Sequence, residues 1–108
     1  MTTLKLLKDR EGLVGFHCEG HSGYAQAGQD IVCASVSTAT QFCVKYLENK
    51  KIPHTLVMRD ARITCRVKRF VPEFGDLLNV LRDLAGDLAE DYPEYIRFEI
   101  MEANGNEI

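Results

Sequence analysis

A histidine and a cysteine, His21 and Cys33, stand twelve positions apart on either side of a glycine-rich stretch. Together they are the minimum for thiol nucleophilic catalysis: a thiolate to attack, and an imidazole to take and return its proton. The full stretch reads Gly20-His21-Ser22-Gly23-Tyr24-Ala25-Gln26-Ala27-Gly28-Gln29-Asp30-Ile31-Val32-Cys33-Ala34-Ser35-Val36-Ser37. Asp30 has the chemistry of a helix N-cap, which puts Cys33 in the first turn of the helix that follows. Unpaired backbone N–H groups and the helix dipole favour an anion there, and the same groups can donate to an oxyanion on an attacked carbonyl. Asp30 has a second reading, as the carboxylate that orients His21. Ser37 falls one turn after Cys33 on the same helical face, where its hydroxyl suits contact with a substrate or a proton relay, or a bond back to a helix carbonyl.

The other three cysteines lack such a setting. Cys43 falls mid-helix and Cys18 and Cys65 fall in strands, so packing is their expected role. There is no C-x-x-C, and no export signal invites a disulfide framework. A zinc site from His17, Cys18, His21 and Cys33 is disfavoured, because His17 and Cys18 are strand neighbours pointing to opposite faces. No metal and no cofactor are expected.

The elements that must position these residues follow from periodicity. Leu4–Lys8 and Leu13–Glu19 read as a hairpin, and Gly20–Gln29 as a loop whose glycines (Gly20, Gly23, Gly28) let it open and close beside the thiol. Helical spacing then runs from Asp30 to about Asn49, before the stop at Lys50-Lys51-Ile52-Pro53. His54–Arg59 and Arg62–Val67 form a second hairpin about Asp60-Ala61. Pro72 opens a second helix that ends before Pro93, and Tyr95–Ile100 alternates as a closing strand. Residues after Met101 are expected to fray. The order is ββαββαβ: an α+β two-layer domain over residues 1–108, a mostly antiparallel sheet covered by two helices.

Composition bounds the function. The 108 residues, 45% apolar and 27% charged, suit one soluble globular domain. The net charge is −3, with an acidic cluster at Asp76, Asp83, Asp87, Glu90 and Asp91. Direct nucleic-acid binding is therefore not expected, nor is a membrane partner; the basic residues Arg59, Arg62, Arg66, Lys68 and Arg69 fit the solvent face of strands. The charged N-terminus is no signal peptide, so a cytoplasmic location is expected.

The eighteen-residue block from Gly20 to Ser37 resembles the signature of the Prp family, the bacterial ribosomal-processing cysteine proteases. Chain length and element order are similar to that family across nearly the whole chain. The resemblance implies that Cys33 is the nucleophile and His21 its base, with Asp30 and Ser37 near the site and a mobile loop from Ser22 to Gln29. It implies removal of an N-terminal extension from large-subunit ribosomal protein L-twenty-seven, cut after an aromatic residue, by a homodimeric enzyme. From both lines, backbone N–H groups near Cys33 and Ala34 are expected to hold the oxyanion. Two other classes of answer are a non-catalytic ribosome-assembly protein that binds the same partner, and a redox sensor. The second lacks an evident resolving cysteine on the helix.

Overall fold

The computed structural model describes residues 1–20, 27–59 and 62–103, with the backbone alone for 27–30. Seven elements follow in the expected order: β1 (Thr2–Lys8), β2 (Leu13–Glu19), α1 (Ala27–Lys50), β3 (His54–Arg59), β4 (Arg62–Val67), α2 (Pro72–Asp91) and β5 (Ile96–Glu102). They form one five-stranded sheet in the order β3-β4-β2-β1-β5. Three pairings are antiparallel, and β1 with β5 is parallel.

Period-two patterning gives the sheet two unlike faces. One row across the strands is Phe98, Leu4, Cys18 and Ile63, and the next is Leu6, Phe16 and Cys65. These meet the helices, and one continuous core joins Leu4, Leu6 and Phe16 to Val32, Leu47, Phe74 and Leu78. The opposite face carries the row Lys5, His17 and Thr64, where His17 Nδ1 lies 2.7 Å from Thr64 Oγ1. Arg62 and Arg66 alternate with Ile63, Cys65 and Val67 along β4, so these basic residues do mark the outer face.

Both helices end where the chain dictates. Lys51 adopts φ 56°, its N–H donates to the Glu48 carbonyl, and the Ile52 N–H donates to the Leu47 carbonyl. That pattern closes α1 as a Schellman motif, with lysine where glycine is usual. Pro72 opens α2 behind an extended Val71, whose carbonyl accepts from the Gly75 N–H at 2.9 Å.

Three boundaries differ from the sequence expectation. Helix α1 starts at Ala27 rather than after Asp30, so the segment Ala27–Gln29, including Gly28, is helical and not loop. Strand β5 continues to Glu102, and the Ala103 N–H donates to the Lys8 carbonyl at 2.7 Å, so order persists past Met101. Strand β1 begins at Thr2, paired with Ile96. The Asp60-Ala61 turn lies outside the described residues.

Candidate functional site

Helix α1 carries a buried stripe, Val32, Val36, Thr40, Cys43, Val44 and Leu47, packed on the sheet. At about 100° per residue, Cys33, Ser37 and Gln41 fall on one flank of that stripe. The flank faces a cleft of about 320 Å³ that Cys33, Ser37 and Gln41 line. Gly20, at the end of β2, lines the same cleft, as do Cys18 below and Met58, Arg62 and Ile63 from the second hairpin. A Cβ at Gly20 would lie 2.9 Å from both Cα and Oγ1 of Thr2, so the strand can pass this wall only as glycine.

Cys33 is thus half-buried in an open cleft, while Cys18, Cys43 and Cys65 are buried. The structure brings Cys33, Ser37 and Gly20 together. His21 follows Gly20 directly in the chain, but His21, Ser22 and Gly23 lie outside the described residues, as does the side chain of Asp30.

Two parts of the sequence argument do not hold. Asp30 is inside the first turn of α1, so it is not the capping residue, and Cys33 is in the second turn. Only the first four N–H groups of a helix lack partners, so those of Cys33 and Ala34 are committed to the helix ladder and are not free for an oxyanion. The dipole also fades within the first turn. Ala34 faces away: it is exposed and lines a second hollow, between α1 and α2. That hollow, of about 560 Å³, is the larger of the two, but small and aliphatic side chains, Phe42 and the buried thiol of Cys43 line it, so it is not where the chemistry belongs. His17 and Cys18 occupy opposite faces, as their adjacency in a strand requires, and His17 Nε2 is 3.4 Å from Glu19 Oε1. Among the described residues no three metal-ligating side chains converge.

A family model, cysteine protease Prp, matches residues 1–97. The chain belongs to the Prp cysteine protease family. Solved structures agree on the fold. An essential ribosomal processing protease Prp from S. aureus, in complex with a substrate peptide, superposes with a TM-score of 0.80 at 20% identity, over 94% of this chain and 100% of that one. The same protein with a covalently linked product peptide gives 0.79 at 22% identity, with the same coverage. A Streptococcus mutans protein gives 0.75 at 23% identity, covering 95% and 96%. No curated protein sequence matches the chain. Among the described residues no helix is long and apolar enough to cross a membrane.

Burial also shows in the ionisation of the three buried thiols of this Prp-family domain. Burial pushes Cys18 up to about 11, helped by the neighbouring charges of Cys33 and Glu19. Cys43 is likewise pushed by burial to about 11. Cys65 is pushed to about 12 by burial, with Cys43 and Glu48 adding to it. An unfolded thiol loses its proton near the ordinary value of 9.0, before these folded ones do. Their stabilising contribution is therefore full below about pH 9 and declines above it by about 1.4 kcal/mol per pH unit for each thiol, until the folded value is reached. Denaturant titrations between about pH 9 and pH 11 should show this slope reduced by about 1.4 kcal/mol per pH unit in Cys65→Ala. An unchanged slope would show that Cys65 titrates alike folded and unfolded.

Proposed function

We propose that this protein removes the N-terminal extension of a ribosomal protein precursor, L-twenty-seven of the large subunit, by Cys33/His21 catalysis during ribosome maturation in the cytoplasm. One observation carries the reading: of four cysteines, Cys33 is the one that is not buried, and it lines a cleft together with Gly20, from which the chain leads into His21.

In this mechanism the precursor enters as an extended peptide, and Met58 and Ile63 supply apolar surface for its side chains. His21 takes the Cys33 proton as the sulfur attacks the scissile carbonyl, with Asp30 as its orienting carboxylate. The oxyanion goes to side-chain donors, because the helix ladder holds the nearby backbone N–H groups. Donors that line the cleft include the Ser37 hydroxyl, one turn beyond Cys33, the Gln41 amide and the Arg62 guanidinium. His21 then protonates the leaving amine, and water releases the acyl group. The test mixes the purified protein with a peptide that spans the precursor's extension and follows it by mass spectrometry. One cut after an aromatic residue is expected. An intact but bound peptide would leave the non-catalytic assembly protein as the better account, and an intact, unbound one would count against both.

The same reading includes a homodimer. Phe42 is 63% exposed, Val80 64% and Leu84 43%, and all three line the hollow between α1 and α2. Contiguous exposed apolar surface of this kind suits a self-complementary contact. Phe42→Glu is expected to weaken dimerisation by about 100-fold or more, since it buries a charge against an apolar partner. Sedimentation equilibrium reads the outcome, and a variant as dimeric as wild type would remove this face from the interface.

A further inference from the structure

We propose that Cys18 is the resolving thiol for Cys33, so that a hydroperoxide converts the pair into a reversible disulfide across the cleft. Along α1 itself the sequence offers Cys33 no evident partner. The structure supplies one from the strand beneath. Cys18 lies on the helix-facing side of β2, in register with Leu4 and Ile63, and its side chain lines the same cleft as that of Cys33. The two sulfurs also sense one another electrostatically, since a charge on Cys33 opposes ionisation of Cys18.

A second pair provides the contrast. Cys43 and Cys65 are electrostatic neighbours too, but they are 3% and 0% exposed. Of the four thiols Cys33 alone is not buried, so peroxide reacts there, and Cys18, 7% exposed on the same cleft, meets the oxidised sulfur rather than the oxidant.

The chemistry balances without any group beyond the oxidant. The Cys33 sulfur attacks one peroxide oxygen and the O–O bond breaks. Hydroxide leaves, is protonated to water, and Cys33 becomes a sulfenic acid. The Cys18 sulfur then attacks the Cys33 sulfur, the S–S bond forms and the S–O bond breaks. The departing hydroxide takes up the Cys18 proton as a second water. Two thiols and one hydroperoxide thus give one disulfide, with two-electron reduction of the peroxide. A dithiol reverses it by exchange. The bond blocks the thiol, yet diverts it from the irreversible sulfinic acid.

The test exposes the purified protein to a small excess of hydrogen peroxide, alkylates the remaining thiols and analyses non-reduced peptides by mass spectrometry. A peptide joining Cys18 to Cys33 is expected, with Cys43 and Cys65 recovered as thiols. Dithiothreitol should return most of the Cys33 thiol, about 80% or more, in wild type and in Cys43→Ala. In Cys18→Ala and Cys18→Ser, Cys33 should accumulate as sulfinic acid and the recovered fraction should fall several-fold. Sulfinic acid at Cys33 in wild type at the rate seen without Cys18, or a link through another cysteine, would overturn the proposal. These readouts are masses and not cleavage rates, so they stand whether or not the proteolytic reading does.

Discussion

Cys33→Ser is expected to lower cleavage of an extension peptide by about 10⁴-fold or more while leaving the peptide's affinity within a few-fold. The hydroxyl keeps the shape of the side chain but gives up its proton far less readily than a thiol, and it is the weaker nucleophile. Cys33 is half-buried on the flank of the α1 stripe rather than in it, so the variant should melt close to wild type. Removing a base costs less than removing the nucleophile, so His21→Ala should lose about 10²–10⁴-fold. The pairing of the two losses is informative, because residues that act as one unit are not additive. The double variant should therefore be little worse than Cys33→Ser alone. Cys43→Ala and Cys65→Ala provide the opposite pattern, with lower stability and cleavage largely kept, since both thiols are sealed in the core. Single-turnover peptide assays with thermal melts separate these outcomes. Full function of Cys33→Ser in ribosome maturation would establish a binding protein in place of a protease.

What could be read in advance, and what could not, divides along local and non-local lines. Strands β2, β3 and β4 fall where alternation and their bounding turns place them, because each pattern is written within six or seven residues. Helix α2 is framed by Pro72 and by the cap at Tyr92 just before Pro93, both short-range signals. The start of α1 was not legible. Gly28 lowers helix propensity, and Asp30 carries the chemistry of a cap. The ladder nevertheless runs back to Ala27, where burial of Val32 and Val36 on the sheet outweighs a weak local preference. The reading of the site's electrostatics changes with it, because the N–H groups of Cys33 and Ala34 belong to the helix ladder rather than to its free end. Parallel pairing of β1 with β5, and the meeting of Cys18 with Cys33, join residues that no local pattern links. Within the block from Gly20 to Ser37, the structure brings Gly20, Cys33 and Ser37 to one cleft. Its walls, Met58, Arg62 and Ile63, come from a hairpin some thirty residues away in sequence and carry no signature of their own.

Gly15→Ala is expected to destabilise the fold by about 3 kcal/mol or more, among the largest effects of any single methyl addition here. Gly15 is buried in β2, between β1 and β4, and pairs with Leu7 on one side and Arg66 on the other. A Cβ there would overlap the Cys65 carbonyl oxygen and stand 2.8 Å from the Arg66 Cα. Both obstacles are backbone, so no rotamer change relieves them, and relief requires β2 and β4 to separate. That separation breaks ladder hydrogen bonds in the centre of the sheet, and it displaces the two strands that end beside the cleft. For a domain of this size, about 3 kcal/mol corresponds to a fall of roughly 12–24 °C in Tm. Gly86→Ala gives the sign control. Gly86 is inside α2, and a Cβ added there would have no atom within 4 Å, so the same methyl meets nothing. Alanine there removes backbone freedom from the unfolded chain and should raise stability by about 0.5–1 kcal/mol. Opposite shifts from one chemical change, read by calorimetry on both variants, would place the cause in the closeness of β4 and not in the loss of glycine as such. A Gly15→Ala protein that melts with wild type would mean that β2 and β4 lie further apart than this register holds them.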